Sequence, residues 1–377
     1  PRLARMASFT AKTVGSGPCQ EVVEDKNPDL FSLPAIKCWP GDGGRYITLP
    51  HVHSVNPRTG RRNVGLYRLQ LFDATTAGMH MHLHHDGAQN FRDSTAAGRR
   101  LEMAVALGGD PVLAYAASAP LPPGIDELTL AGFLRKRSVP LVRCKTVEVE
   151  VPADSDIVIE GYLEPGELRR EGPFGDHTGW YSLADDYPVF RVTAITRRRD
   201  AIYPTIIVGR PPMEDYWLGG ATERIFLPLL KMQLPEVVDL HMPAEGVFHN
   251  MVIVSIRKSF PFHARKVMYA LWGLGQMSLA KCIVVVDEDV DVHNLSEVAW
   301  KALGSIDPKR DMVFVEGPVD ALEHASPLPH VGGKVGVDAT RKMASEDFAR
   351  EWPEEIVMSD EIKERVTRRW EEYGLGG

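Results

Sequence analysis

The sequence predicts an α+β protein, a β-rich domain followed by an α/β domain, from three observations. Between Tyr46 and about Thr205, short runs rich in Val, Ile, Leu and Tyr recur between turn signals, the pattern of many short strands closed as a barrel or stacked as sheets. After Pro211-Pro212 the spacing becomes helical and alternates with continuous apolar runs. The 377 residues, 44% of them hydrophobic, suffice for two or more domains with real cores.

In chain order, residues 1–40 carry Gly-Ser-Gly-Pro and Lys-Asn-Pro-Asp with weak periodicity and read as a linker or the remnant of a preceding domain. Residues 41–210 form the β-rich domain, with strands expected at Asn63 to Leu71, Ala104 to Leu107, Leu141 to Val149, Ile157 to Tyr162, Val189 to Ile195 and Ile206 to Val208. One helix is expected to interrupt it, opening at Pro123-Gly124-Ile125-Asp126-Glu127 and running through Leu134, with Asp126 as cap or first-turn acid. Residues 211–345 form the α/β domain: helical spacing over Tyr216 to Leu230, Phe262 to Leu279 and Ser296 to Leu303, and strands at Cys282 to Val286 and Met312 to Val315. Residues 346–377 are a helical tail whose charged helix, Glu361 to Tyr373, carries Trp370 toward a partner subunit.

Composition excludes several classes. A formal charge of −8 gives no general attraction to nucleic acid, and Arg61-Arg62, Arg99-Arg100 and Arg197-Arg198-Arg199 are short and scattered. Cys19, Cys38, Cys144 and Cys282 form no CxxC pair, so neither a zinc ribbon nor a dithiol site is indicated, and reduced cytosolic thiols fit. No apolar run approaches a bilayer span; the expected location is cytoplasmic.

Chemistry concentrates in residues 171–181, Glu-Gly-Pro-Phe-Gly-Asp-His-Thr-Gly-Trp-Tyr, where Gly and Pro forbid a regular helix and Glu171 and Asp176 are expected on a loop. In Asn63-Val64-Gly65-Leu66-Tyr67-Arg68 a strand would place Asn63 and Tyr67 on one face and Arg68 on the other, unless Gly65 bulges it. In Met79-His80-Met81-His82-Leu83-His84-His85-Asp86-Gly87, three alternating histidines would share a strand face; hydrogen-bonded histidines are commoner than metal ligands in such a pattern. Lys281, ahead of Cys282 to Val286, reads equally well as a solvated strand-end lysine.

Together these words resemble the UbiD family of decarboxylases, and the resemblance runs from about Asp29 to Thr340, including Gly209-Arg210-Pro211-Pro212, Pro243-Ala244-Glu245-Gly246 and Val335 to Thr340. It implies a central FMN-binding split β-barrel followed by an α/β domain, with a family N-terminal α/β domain largely absent. It implies catalysis by Glu171 and Asp176 with Arg68 as organiser, and a divalent metal, Mn²⁺ or Mg²⁺, held by Asn63, His84 and Glu127. Prenylated FMN would be contacted by Asn63, Leu66, Tyr67, Arg68, His80, Met81, His82, His84, His85, Asp86, Glu127 and Lys281, and a K⁺ requirement stays open. The chain departs from the family at Met81, where relatives have Trp, at His85, where they have a basic residue, and at Asp86-Gly87, where they have Gly-Gly.

The resemblance further implies non-oxidative decarboxylation of an aromatic or α,β-unsaturated acid, with the cofactor as electron sink. One of two acids sharing one Arg in a partly dry pocket is expected to keep its proton near neutrality. Arg210-Pro-Pro-Met-Glu-Asp and Ala221-Thr-Glu-Arg-Ile-Phe look most like the menaquinone-pathway branch acting on a dihydroxynaphthoate, with the ubiquinone branch acting on a polyprenyl hydroxybenzoate second. A flavin prenyltransferase would supply the cofactor, a homo-oligomer (dimer or hexamer) is expected, and a prenylated substrate would bring peripheral membrane contact. An FMN oxidoreductase and a cofactor-free scaffold are the alternatives from other classes.

Overall fold

The computed structural model describes residues 8–82, 85–122, 124–247 and 249–374. An antiparallel nine-stranded sheet dominates the N-terminal half. Its path runs Tyr46–Ile47, Leu69–Leu71, Thr76–Met79, Asp185–Arg197, Ile157–Glu171, Leu101–Leu107, His51–Val55 and Arg62–Gly65, with Val22–Glu24 added beside Asp185–Arg197. Arg62–Gly65 and Leu69–Leu71 lie six steps apart on this path, which in a flat sheet would separate them by roughly 29 Å. Leu66, Tyr67 and Arg68 alone connect them, a reach of at most roughly 14 Å. The sheet is therefore curled on itself, although the described ladder does not close by hydrogen bonds. The seam is crossed by the segment that carries Tyr67 and Arg68.

This geometry corrects the expected single strand from Asn63 to Leu71: the chain leaves one end of the sheet at Gly65 and joins near the other at Leu69. Other expectations are extended or cut. Ile157–Glu171 and Asp185–Arg197 outrun the predicted strands, Leu141 to Val149 is strand only at its start, within Pro140–Arg143, with a separate strand Glu150–Pro152 after it, and 206–208 lies outside the ladder. Glu171 is the last residue of a strand, paired with Asp185, rather than a loop residue. Among the described residues three α-helices interrupt this half instead of one: Asp86–Ala96, Val112–Ser118 and Glu127–Arg135, the last capped by Asp126 as expected. Within the stretch read as a linker or remnant, Lys12–Thr13 pairs with Pro140–Arg143, Val22–Glu24 joins the large sheet, and Cys19, Leu30 and Leu33 are buried.

The curled sheet encloses Leu69, Met79, Met103, Val105, Ile159, Leu163 and Phe190. The second half is a mixed five-stranded sheet in the order Val237–His241, Met251–Ile256, Cys282–Asp287, Val331–Asp338 and Met312–Pro318, with helices Glu214–Gln233, His263–Trp272 and Leu295–Ser305. Met251–Ile256 and Cys282–Asp287 are nearly continuous apolar runs because both faces are covered, whereas Val331–Asp338 alternates in burial. Helix Asp360–Arg368 buries none of its residues. Among the described residues no helix is long and apolar enough to cross a membrane.

Candidate active site

Arg68 reaches from the seam into a buried acidic pair. Its Nε donates to Glu171 Oε1 at 3.0 Å and its Nη2 to Glu171 Oε2 at 3.3 Å, while Nη1 donates to Asp176 Oδ2 at 2.5 Å. Ser182 Oγ accepts from Nη2 at 3.1 Å, and the guanidinium lies over the Phe174 ring, 4.4 Å from its centre. Glu171 is fully buried and Asp176 is 5% exposed. A planar fork with separate donors for two carboxylates is a task for Arg and not for Lys.

Backbone clamps fix the two acids. Gln70 Oε1 accepts from Gly172 N–H at 2.7 Å, Gly43 N–H donates to the Pro173 carbonyl at 2.7 Å, and Asp42 Oδ1 accepts from Gly175 N–H at 2.8 Å. Tyr46 packs against Phe174 with ring centres 4.6 Å apart and planes tilted by 53°, closing the floor beneath Arg68. The ring of Trp39 fills the space beside Gly175 and Gly209, each of which would place a Cβ within 2.7 Å of it.

A chain of imidazoles approaches Glu171 from the other side. His80 Nδ1 lies 2.8 Å from Glu171 Oε2, and His80 Nε2 lies 2.8 Å from His82 Nε2. An ionised carboxylate only accepts, so the proton of neutral His80 sits on Nδ1 and its Nε2 accepts from His82. His80 stacks on Tyr187 at 4.1 Å, and His82 on His85 at 5.0 Å. Burial pushes both His80 and His82 below the ordinary histidine range. Burial alone would raise Glu171, yet the hydrogen bond from His80 and the Arg68 charge hold it below the usual carboxylate range. Asp176 is likewise held low against burial, by the hydrogen bond from His177 and by Arg68. Both acids are therefore anions here. The expectation that one keeps its proton near neutrality does not hold in this arrangement, because two carboxylates face one Arg and also His80 and His177.

Two of the three expected metal ligands meet at Arg62–Gly65. Val64 N–H donates to Glu127 Oε2 at 3.2 Å, and adjacent Asn63 gives its amide N–H to Tyr67 Oη at 3.3 Å, an arrangement in which its carbonyl oxygen could serve as a ligand. Burial, then the nearby charges of Asp126 and Asp86, push Glu127 up to about 7. A half-buried carboxyl with acids for neighbours and a neutral carbonyl beside it fits a divalent cation, which would remove the like-charge penalty. His84 lies outside the described residues.

Among the expected cofactor contacts, Tyr67 Oη also accepts from Gly87 N–H at 3.1 Å, and Tyr67 stacks on His85 at 5.2 Å. A Cβ on Gly65 or Gly87 would strike the Tyr67 ring, and Met81 is buried against Gly87. Asp86 is exposed as the first residue of helix Asp86–Ala96, and Leu66 N–H is bonded to the Ala117 carbonyl at 3.1 Å. Asn63, Leu66, Tyr67, His80, Met81, His82, His85, Asp86 and Glu127 thus surround Arg68 or its seam. Lys281 lies in the C-terminal half with its ammonium 2.7 Å from Glu323, and it acts electrostatically on His249, whose ring meets His177. Thr178 braces the loop as an acceptor, from Trp180 N–H at 3.4 Å, and His177 donates backbone and ring N–H to Asp176 Oδ1. Sequence reasoning missed Ser182 and Tyr187, whose only signal was proximity to residues 171–181, and gave no role to Phe174 within that stretch.

Comparison with known proteins places this geometry. Residues 12–211 match the 3-octaprenyl-4-hydroxybenzoate carboxy-lyase Rift-related domain (UbiD), and residues 216–339 the corresponding C-terminal domain. A protein of Archaeoglobus fulgidus, described as uncharacterized, is 50% identical over 367 residues, covering 97% of this chain and 76% of that protein. One from Aquifex aeolicus, described in the same way, is 51% identical over 376 residues, covering 100% and 77%. The UbiD-class enzyme HmfF from Pelotomaculum thermopropionicum, solved with FMN, superposes with a TM-score of 0.84 at 32% identity, covering 96% of this chain and 81% of that one. Vanillic acid decarboxylase from Sedimentibacter hydroxybenzoicus gives 0.89 at 28% identity, covering 99% and 80%.

Proposed function

The chain belongs to the UbiD family of prenylated-FMN-dependent carboxy-lyases, and from that premise we propose that it decarboxylates a 1,4-dihydroxynaphthoate in menaquinone biosynthesis, with Mn²⁺ or Mg²⁺ at Asn63, His84 and Glu127. The observation that carries a decarboxylase reading is the Arg68 fork, which holds Glu171 and Asp176 in one buried ion cluster. Prenylated FMN, when bound, supplies the electron sink for the pair left as CO₂ departs.

The residues of the chain do the rest. Arg68 receives the substrate carboxylate, a third anion on a guanidinium already serving two. Crowding of like charge then raises Glu171, which takes up the proton that decarboxylation consumes. His82 and His80 form a continuous hydrogen-bonded route for that proton. Once CO₂ has left, Glu171 gives the proton to the carbon, and Asp176 with His177 keeps Arg68 in place.

The test is co-expression with a flavin prenyltransferase, anaerobic purification, mass spectrometry of the bound flavin and CO₂ release from dihydroxynaphthoates and hydroxybenzoates. Prenylated FMN with CO₂ release from a dihydroxynaphthoate is the expected result. Plain FMN with NAD(P)H oxidation and no CO₂ would overturn the reading in favour of an oxidoreductase.

A further inference from the structure

Beside the Arg68 cluster lies a pair of acids that the chemistry above does not use. Helix Glu214–Gln233 starts just beyond Pro211-Pro212 with Glu214 and Asp215 in its first turn. Acids there are commonly solvated partners of the helix dipole. Here Asp215 is only 6% exposed and Glu214 half-buried, and Asp215 Oδ1 and Glu214 Oε2 are buried atoms without a hydrogen-bond partner among the described residues.

The helix start is packed against the loop that carries Asp176. A Cβ on Gly179 would lie 3.3 Å from the Arg210 Cα, and Trp39, wedged beside Gly175 and Gly209, donates its indole N–H to the Val208 carbonyl at 2.6 Å. Glu214 and Asp215 both act electrostatically on His177 and Asp176. Across from them, the His177 ring meets that of His249 at 5.4 Å, and His249 Nε2 lies 3.9 Å from Asp320. Burial, with Asp215 beside it, pushes Glu214 up to about 7, and burial raises Asp215 as well.

We propose that Glu214 and Asp215 are the specificity-determining residues of the Arg68 site, their buried carboxyl oxygens accepting from a hydroxyl on the substrate ring and excluding a second carboxylate. This rests on the decarboxylase reading of Arg68, Glu171 and Asp176 and goes beyond it by naming which end of the substrate each group reads. Two buried acceptors without donors are completed by an O–H. A second carboxylate would bring a third negative charge against Asp215 and Asp176, with His177 already committed to Asp176. A site built to bond a hydroxyl also rejects analogues lacking it, because its own polar groups are then left unpaired.

The experiment uses the full chain loaded by co-expression with a flavin prenyltransferase, as wild type, Asp215→Asn and Glu214→Gln. Two readouts run in parallel on each preparation: calorimetric binding and CO₂ release, with 1,4-dihydroxy-2-naphthoate, 3,4-dihydroxybenzoate, benzoate and terephthalate as probes. Wild type should bind at least one hydroxy acid about a hundredfold more tightly than terephthalate, and the amide variants should narrow that ratio about tenfold or more. Equal binding of hydroxy acid and terephthalate by wild type would overturn the proposal without any variant being needed. An unchanged ratio in folded variants would do the same, even with prenylated FMN bound and CO₂ released. Conversely, if no preparation releases CO₂ but the binding ratio still narrows in the variants, the specificity assignment stands and the decarboxylase reading fails.

Discussion

Arg68 grips Glu171 through two of its nitrogens, at 3.0 and 3.3 Å, and spends a third on Asp176. One cation is thereby shared by two buried acids, and the hydrogen bonds from His80 and His177 supply the rest of their stabilisation. Replacing Arg68 with Ala leaves both carboxylates buried without a counter-ion and should cost about 3–5 kcal/mol in urea unfolding. Arg68→Lys keeps the charge but not the fork, so it should fold with a smaller loss and still lose turnover by about a hundredfold or more.

Glu171→Gln preserves shape while removing the transferable proton. It should retain bound flavin and lower CO₂ release by about 10²–10⁴-fold, the usual weight of a positioned general acid. Normal turnover in that variant would remove Glu171 from the mechanism.

The hydrogen bond from His80 is the leading influence holding Glu171 down against burial. His80→Phe should therefore raise Glu171, and the limb of the pH–rate profile that reports it should move to higher pH. An unshifted limb, with flavin content intact, would mean that His80 only fills space.

Glu171 and Asp176 are both depressed in the fold, so their contribution to stability is complete above the ordinary carboxylate pKa values, roughly 3.9–4.3, and fades as pH falls below them. Urea midpoints should drop more steeply between pH 5 and pH 3 in wild type than in a Glu171→Gln, Asp176→Asn double variant. Equal slopes would show that the cluster is not linked to folding.

Glu127, pushed up to about 7 by burial and by neighbouring acids, is the group most relieved by a divalent cation. Glu127→Gln should lower Mn²⁺ content measured by elemental analysis, and flavin retention with it, while leaving the Arg68 cluster folded. Full metal occupancy in that variant would exclude Glu127 as a ligand.

Much of the site could be read in the sequence because its residues fall in short words with chemically unusual composition: Asn63 to Arg68, and Glu171 to His177. What could not be read is how those words meet. The contact between His80 and Glu171 spans 91 positions, and the strand order brings it about, Thr76–Met79 and Ile157–Glu171 both pairing with Asp185–Arg197. Helix Asp86–Ala96 was invisible for another reason. It docks through Asn90 and Asp93, which bond Ser54, Asn56 and Arg58, so its buried face is polar and leaves no hydrophobic period to detect. Glu214 and Asp215 stand ahead of the expected helix Tyr216 to Leu230, and nothing in the sequence marks Asp215 as buried.

The position of Glu171 at the end of Ile157–Glu171 bears on local opening. Strand ends are where ladders fray, and fraying by a single pair, Glu171 with Asp185, would carry the carboxylate away from Arg68. Gln70 catches Gly172 N–H one residue later, and the Pro173 carbonyl beyond it is held by Gly43 N–H. Amide hydrogen exchange at Gly172 and Gly43 should consequently be as slow as in the middle of the strand. The acid thus sits on a terminus that opens only when the sheet itself does.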